Sequence, residues 1–375
     1  MARSALYERL EIVVLAINHG WLLAPWDDEL LRSLRTNAHL PPLVKDLTCW
    51  TCRCSPNILE RGWGIDIGTK MSADGRVDVE WLQQFMKENR IDIEATWHEL
   101  FTLVAPHLRR MSATSVEDMY DFEPLLATFS FPNVGALKVD GFSPALISSF
   151  PSLTELNCAI QRISAPTPTP PSLPALQTLS LTSDNPVDAT LAPSVAWLTS
   201  SSHTSLRILT LPFTDTFPPD AFLTPFPHLA HLTLESARYD FPFHPLPQHP
   251  PARHLPALPL SLTHLTLDRL SRSPSPASTL AETFLSSLRA PNLVSLTLTK
   301  PNFHARVFAQ LVADTERLPR LRVLDAQRTY SYLGHCEAHE GWGEDDREEL
   351  QKACDQSGVR LLLPLPWNVV AEDGE

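Results

Sequence analysis

The stretch PHLAHLTL occupies residues 227–234, and SLTHLTL at 261–267 nearly repeats it, with leucines at one offset and polar residues in the gaps. Written as L-x-x-L-x-L, the phrase stands at Leu176/Leu179/Leu181, Leu206/Leu209/Leu211, Leu229/Leu232/Leu234, Leu262/Leu265/Leu267 and Leu293/Leu296/Leu298. Degenerate copies begin at Leu108 (Met111, Ala113), Val134 (Leu137, Val139), Leu153 (Leu156, Cys158) and Leu321 (Leu324, Ala326). From Val134 to Leu321 the starts lie 19, 23, 30, 23, 33, 31 and 28 residues apart. Each interval holds one short strand plus a helix or a turn.

The last two leucines of each copy are two residues apart, so a strand turns both to one face and the residue between them to the other. One such unit cannot bury its own apolar face, and neighbours must stack to share a core. The pattern therefore predicts an α/β fold: a leucine-rich-repeat solenoid, a right-handed β-α superhelix with a parallel sheet on its concave face. Strands are expected at 178–181, 208–211, 231–234, 264–267 and 295–298, with Leu232 and Leu265 in the core. Helix signals fill the longer intervals. Ser143 offers an N-cap with Pro144 at the first helical position, and Thr279 with Glu282 reads as a capping box before Phe284, Leu285 and Leu288. Asn302 can cap a run holding Phe308, Leu311 and Val312. Near the end, EDDREELQKACDQSG sets Leu350, Ala353 and Cys354 on one face with Gly358 as a stop, and VRLLLPL supplies a last strand.

Prolines are concentrated away from the strands. APTPTPPSLP (165–174) and FPFHPLPQHPPARHLPALP (241–259) read as loops inserted on one rim of the solenoid. Residues 1–100 have a different texture, with six of the nine tryptophans and only Val44/Leu47/Cys49 in the repeat phase. They are expected to form an irregular N-terminal cap continuous with a solenoid over 101–375.

The chain is 43% hydrophobic, enough for a large core, and its formal net charge is −13. That sign excludes a general nucleic-acid or anionic-membrane binder, which must neutralise phosphates; a basic protein partner fits the balance better. The apolar run IVVLAI (12–17) is too short for a secretory segment, and no window approaches the roughly 18 residues of a membrane span. A cytoplasmic or nuclear location is expected, with all six cysteines reduced.

Residues 6–50, LYERLEIVVL…DDELLRSLRTNAHLPPLVKDLTCW, resemble the segment that follows the F-box helices in F-box/leucine-rich-repeat proteins of mushroom-forming fungi, basidiomycetes. In that family an LY…L-x-I strand leads to a helix ending in LLRTLR-x-N-x-H-L and then to a PLV-(K/R)-x-L strand. The ending REELQKACDQSGVRLLL is similar to the family's last helix and strand. The resemblance implies a substrate-recruiting module of an SCF-type ubiquitin ligase adaptor. Met1 lands a few residues before LYERL, so the F-box itself is expected to be lost or to lie upstream. Contact with a Skp-type adaptor is implied only in the second case.

Motifs for other chemistry are weak. Cys49-x-x-Cys52-x-Cys54 has metal-like spacing and His335-Cys336-x-x-His339 could complete it, but a solenoid would hold the halves many strands apart. Cys49 and Cys158 also occupy leucine positions. GWGIDIGTK (62–70) resembles the first phosphate loop of actin-like ATPases, yet no buried strand precedes it and no helix follows, so it reads as a loop. RHLPALP (253–259) fits an SH3-ligand pattern, but LPAL recurs at 173–176 before another strand and reads as an approach into it. The acidic stretch from Glu337 to Glu349 reads as a solvated loop and helix start. With no GxSxG elbow or nucleophile–base grouping, the chain is read as a non-enzyme without cofactor or metal.

What remains is the outward ladder. His231, Thr233 and Glu235 recur as His264, Thr266 and Asp268, followed by Ser295, Thr297 and Thr299, with Thr178, Ser180 and Thr182 on the N-terminal side. Stacking places His231 near His264 and Glu235 near Asp268. Solvated strand positions carry such residues without any role, since threonine favours strands. Concave solenoid faces are also where partners are held. The expected partner-binding residues are His231, Thr233, Glu235, His264, Thr266, Asp268, Thr297 and Thr299, and the expected function is protein recognition. The alternative is a free-standing scaffold with no ligase link.

Overall fold

The computed structural model describes residues 7–17, 20–23, 25–53, 79–115, 119–159, 173–182, 191–213, 223, 225–236, 258–268, 288–299, 305–328 and 344–363. They fall in two compact units, Met1–Ala175 and Leu176–Glu375. Outside the described residues lie Cys54, the 62–70 loop, most of both proline-rich loops, the Thr279/Glu282 box, Asn302 and the His335–His339 cluster.

Unit 1 contains β1 (Arg9–Ile17), β2 (Gly20–Leu23), α1 (Pro25–Thr36), β3 (Asp46–Arg53), α2 (Val79–Asn89), β4 (Arg90–Ile91), α3 (Ile93–Val104), β5 (Arg110–Ser115), α4 (Glu123–Leu126), β6 (Ala136–Val139), α5 (Pro144–Ser149) and β7 (Glu155–Ala159). Its strands run in the order β7-β6-β5-β3-β1-β2-β4. From β1 to β7 the pairs are parallel, and only β2 and β4 are antiparallel. Register sets Leu10, Leu47, Met111, Leu137 and Leu156 in one row, and all five are buried. The regular ladder thus begins inside the first hundred residues, where an irregular cap was expected. The reason is local: Leu10-x-Ile12 and Leu47-x-Cys49 supply the same two-residue apolar spacing as the later copies. Ser143 caps α5 by accepting from the Ala145 N–H at 3.2 Å, with Pro144 in the first turn as the sequence signalled. Asp92 caps α3 in the same manner at 3.1 Å, and α3 buries Trp97, Leu100, Phe101 and Val104.

Unit 2 contains β8 (Thr178–Thr182), α6 (Leu191–Thr199), β9 (Ile208–Phe213), β10 (His231–Ser236), β11 (His264–Asp268), β12 (Ser295–Thr299), α7 (Ala305–Ala313), β13 (Val323–Arg328), α8 (Glu344–Ser357) and β14 (Arg360–Leu362). The strands run sequentially, β14 to β8, and neighbours pair in parallel. Leucines sit opposite leucines along the whole row: Leu179, Leu209, Leu232, Leu265, Leu296, Leu324 and Leu361. All but Leu361, on the edge strand, are buried. Phe308, Leu311 and Val312 of α7 and Leu350 and Cys354 of α8 are buried, and the two helices pack together. Gly358 ends α8 at φ +67°, a left-handed conformation that residues with a Cβ rarely adopt. Helix α6 buries Val195, Trp197 and Leu198.

The approach to each strand is more regular than the leucines alone suggested. In FPNV, FPSL, FPHL, APNL and LPRL the first residue of the four accepts a hydrogen bond from the N–H of the last, at 3.1–3.3 Å (Phe131, Phe150, Phe226, Ala290 and Leu318 as acceptors). Pro132, Pro151, Pro227, Pro291 and Pro319 therefore stand at the second position of a β-turn, where their fixed φ is already correct. Many prolines are thus parts of the repeat. Polar residues at the third turn position tie one unit to the preceding one: Asn133 Nδ2 donates to Pro106 O at 2.8 Å, Ser152 Oγ to Pro132 O at 2.6 Å, and Asn292 Nδ2 to Leu260 O at 2.7 Å. Asn292→Ala is expected to lower stability by about 0.5–1.5 kcal/mol, the net worth of one such bond. Chemical denaturation of the variant measures this, and an unchanged midpoint would show that water replaces the bond at no cost.

Candidate binding face

The outward face of the unit 2 sheet is set by strand alternation, because Leu232, Leu234, Leu265 and Leu267 occupy the core side. Register then arranges the remaining side chains in rows. One row reads Ile208, His231, His264, Ser295 and Val323. The next reads Ser180, Thr210, Thr233, Thr266, Thr297 and Asp325. A third holds Glu235, Asp268 and Thr299, with a register shift against β13 between Thr297 and Thr299. The structure therefore brings together all eight residues expected from the sequence, on three adjacent strands. None of them is buried.

The two histidines of this face touch each other directly. The His231 and His264 rings stack with centroids 4.2 Å apart and planes at 10°. Thr263 Oγ1 lies 2.9 Å from His264 Nδ1 and 3.1 Å from Ala230 O, which anchors the second ring through one of its nitrogens. His231 has its pKa pushed below the usual imidazole range, first by partial burial and then by the charge that His264 would carry. The two rings resist being protonated together. Acidification through that range should weaken the stack, since the neutral form is the one the folded face favours.

Sequence reading did not single out Ile208, Thr210 or Thr263. Ile208 and Thr210 follow from the alternation rule applied to the copy at Leu206, and Ile208, 39% exposed, adds an apolar element beside the histidines. Thr263 lies before the strand, and nothing in the pattern of outward positions marks it.

Elsewhere the chemistry is muted. Burial pushes the Cys158 thiol up to about 12, and burial with Asp355 nearby pushes Cys354 up to about 11. Cys49, fully enclosed, is likewise raised by burial. Neutral thiols are poor nucleophiles and poor ligands. Cys49 and Cys52 are three residues apart in β3, so alternation directs them to opposite faces. Among the described residues, no group of three or more His, Cys, Asp or Glu could hold a metal ion. Among the same residues, no helix is long and apolar enough to cross a membrane. No protein-family model matches the chain, and no curated protein matches it.

Proposed function

We propose that this chain is a non-enzymatic protein-recognition module, a leucine-rich-repeat solenoid that holds its partner on the concave side of the parallel sheet. One observation carries the reading: imidazoles, threonine hydroxyls and carboxylates line up in register across β10, β11 and β12 on the face opposite the leucines. Such a surface offers rows of donors and acceptors at about 4.8 Å intervals on a rigid backbone. The net charge of −13 and the neighbouring Glu235 and Asp268 favour a basic partner. By its resemblance at both ends to fungal F-box/leucine-rich-repeat proteins, the chain would recruit substrate for an SCF-type ubiquitin ligase in the cytoplasm or nucleus. The ligase would do the chemistry elsewhere.

Affinity purification followed by mass spectrometry, with wild type and Glu235→Lys/Asp268→Lys side by side, tests both parts. Charge reversal should reduce recovery of the specific partner at least tenfold, with circular dichroism unchanged, and raising salt should weaken the wild-type complex. Equal recovery by both proteins would return the ladder to solvated strand positions. Co-purification of Skp and cullin supports the ligase link. A charge-dependent partner without Skp or cullin supports the free-standing scaffold instead.

A further inference from the structure

We propose that His231 and His264 together form a binding site for a divalent transition metal ion of the copper, nickel and zinc group. The two side chains are direct neighbours on parallel strands, and both are exposed. Two cis nitrogens bonded at about 2.0–2.1 Å to one ion stand about 3 Å apart, and slightly more in a tetrahedral site. The rings start 4.2 Å apart and nearly parallel. The stacked lone pairs run nearly parallel, so one ring must swing out of the stack by most of a right angle before both nitrogens converge on one ion, a rotation about χ1 and χ2 that an exposed strand position permits.

Metal-binding histidines are usually held by a hydrogen bond from the nitrogen that does not bind. Thr263 supplies that contact here, engaging His264 Nδ1 at 2.9 Å while itself anchored to Ala230 O at 3.1 Å. This leaves Nε2 of His264 as the nitrogen available to an ion. The other positions in the row, Ile208 and Ser295, bring no carboxylate or imidazole. Glu235 and Asp268 are four residues along the strands, about 13 Å away, too far to join. Among the described residues, two imidazoles therefore supply the protein ligands, and affinity should follow the order copper(II) above nickel(II) and zinc(II). This site is separate from the cysteine cluster at 49–54, and it does not depend on the protein-recognition reading.

The test is titration of the full chain with copper(II) and nickel(II), in parallel with His231→Gln, His264→Gln and Thr263→Val. The chain has 14 histidines, so the readout is the one equivalent that changes between variants. Each histidine substitution should weaken that equivalent at least tenfold. Thr263→Val, which keeps both ligands, should weaken it about tenfold by freeing the His264 ring. Electron paramagnetic resonance of the copper(II) form should show two coupled nitrogens in wild type and one in each single-histidine variant. Circular dichroism of each variant checks the fold. An equivalent that survives in a His231→Gln/His264→Gln double variant, titrated alongside, with unchanged affinity and spectrum would overturn the assignment. So would a spectrum of folded wild type with no nitrogen coupling that responds to either substitution.

Discussion

Leu265→Ala is expected to lower the stability of unit 2 by about 2–5 kcal/mol, the sum of lost transfer free energy and the cavity left behind. Leu265 is 1% exposed and lies in register between Leu232 and Leu296, both equally enclosed. The apolar side chains above and below it are held by their own strands, so the gap cannot collapse without breaking the ladder. On the same strand, Thr266→Ala should change stability by no more than about 0.5 kcal/mol, because its side chain faces away from the core. Urea denaturation of both variants measures the contrast. Repeats couple mainly to their neighbours, so the Leu265→Ala transition should also broaden as the damaged region opens first. Similar midpoints for the two variants would show that the register of the repeat is wrong.

Asp27→Asn should do the reverse and stabilise the protein above neutral pH. Asp27 lies in the first turn of α1, is 2% exposed, and accepts a hydrogen bond from the Val13 N–H at 3.3 Å. Its carboxyl is pushed up to about 6 from an ordinary 3.8, chiefly by burial, with Glu11 adding to the rise and the Val13 bond opposing it. A carboxyl that holds its proton more tightly in the folded state contributes stability at low pH. That contribution is complete below about pH 4 and is lost as pH rises through about 6. A shift of this size corresponds to roughly 3 kcal/mol as an upper bound. Asparagine keeps an oxygen for Val13 and carries no charge. The variant should therefore exceed wild type by about 2–3 kcal/mol at pH 8 and match it near pH 4. Denaturation midpoints across that range decide the matter, and a difference that does not vary with pH would remove the charge from the explanation.

Much of the fold could be read from period alone. A leucine pair two apart cannot be satisfied by a helix, and its recurrence every 19 to 33 residues forces neighbouring units to share a core. For the same reason the period assigns Leu232 and Leu265 to the core and sets Glu235 opposite Asp268. Helices with a local cap were legible too, as at Ser143 and Gly358. Helix α6 was not singled out from the sequence, and in the fold it buries Val195, Trp197 and Leu198.

The prolines show where a reading by composition falls short. Counted as loop formers, they hid the turns at Pro132, Pro151, Pro227, Pro291 and Pro319, which recur at one position before five of the strands. Their role depends on a hydrogen bond between residues three apart, and only the folded backbone shows that it forms. Asp27 illustrates the same limit in electrostatics. In the sequence it is one of two acids opening a helix, and only packing against β1 removes it from water and raises its pKa.

From β8 to β12 the sequence by itself determined the strand positions, the two faces of each strand and the residues that share a row, because all three follow from a two-residue period. Tertiary structure alone decided how closely those rows approach and what surrounds them. The stacking of His231 on His264, the anchoring of one ring by Thr263 and the enclosure of Asp27 depend on distances between strands and helices far apart in the chain. Periodicity assigns a side chain to a face. The separation and solvent access of its neighbours are set only when the units stack.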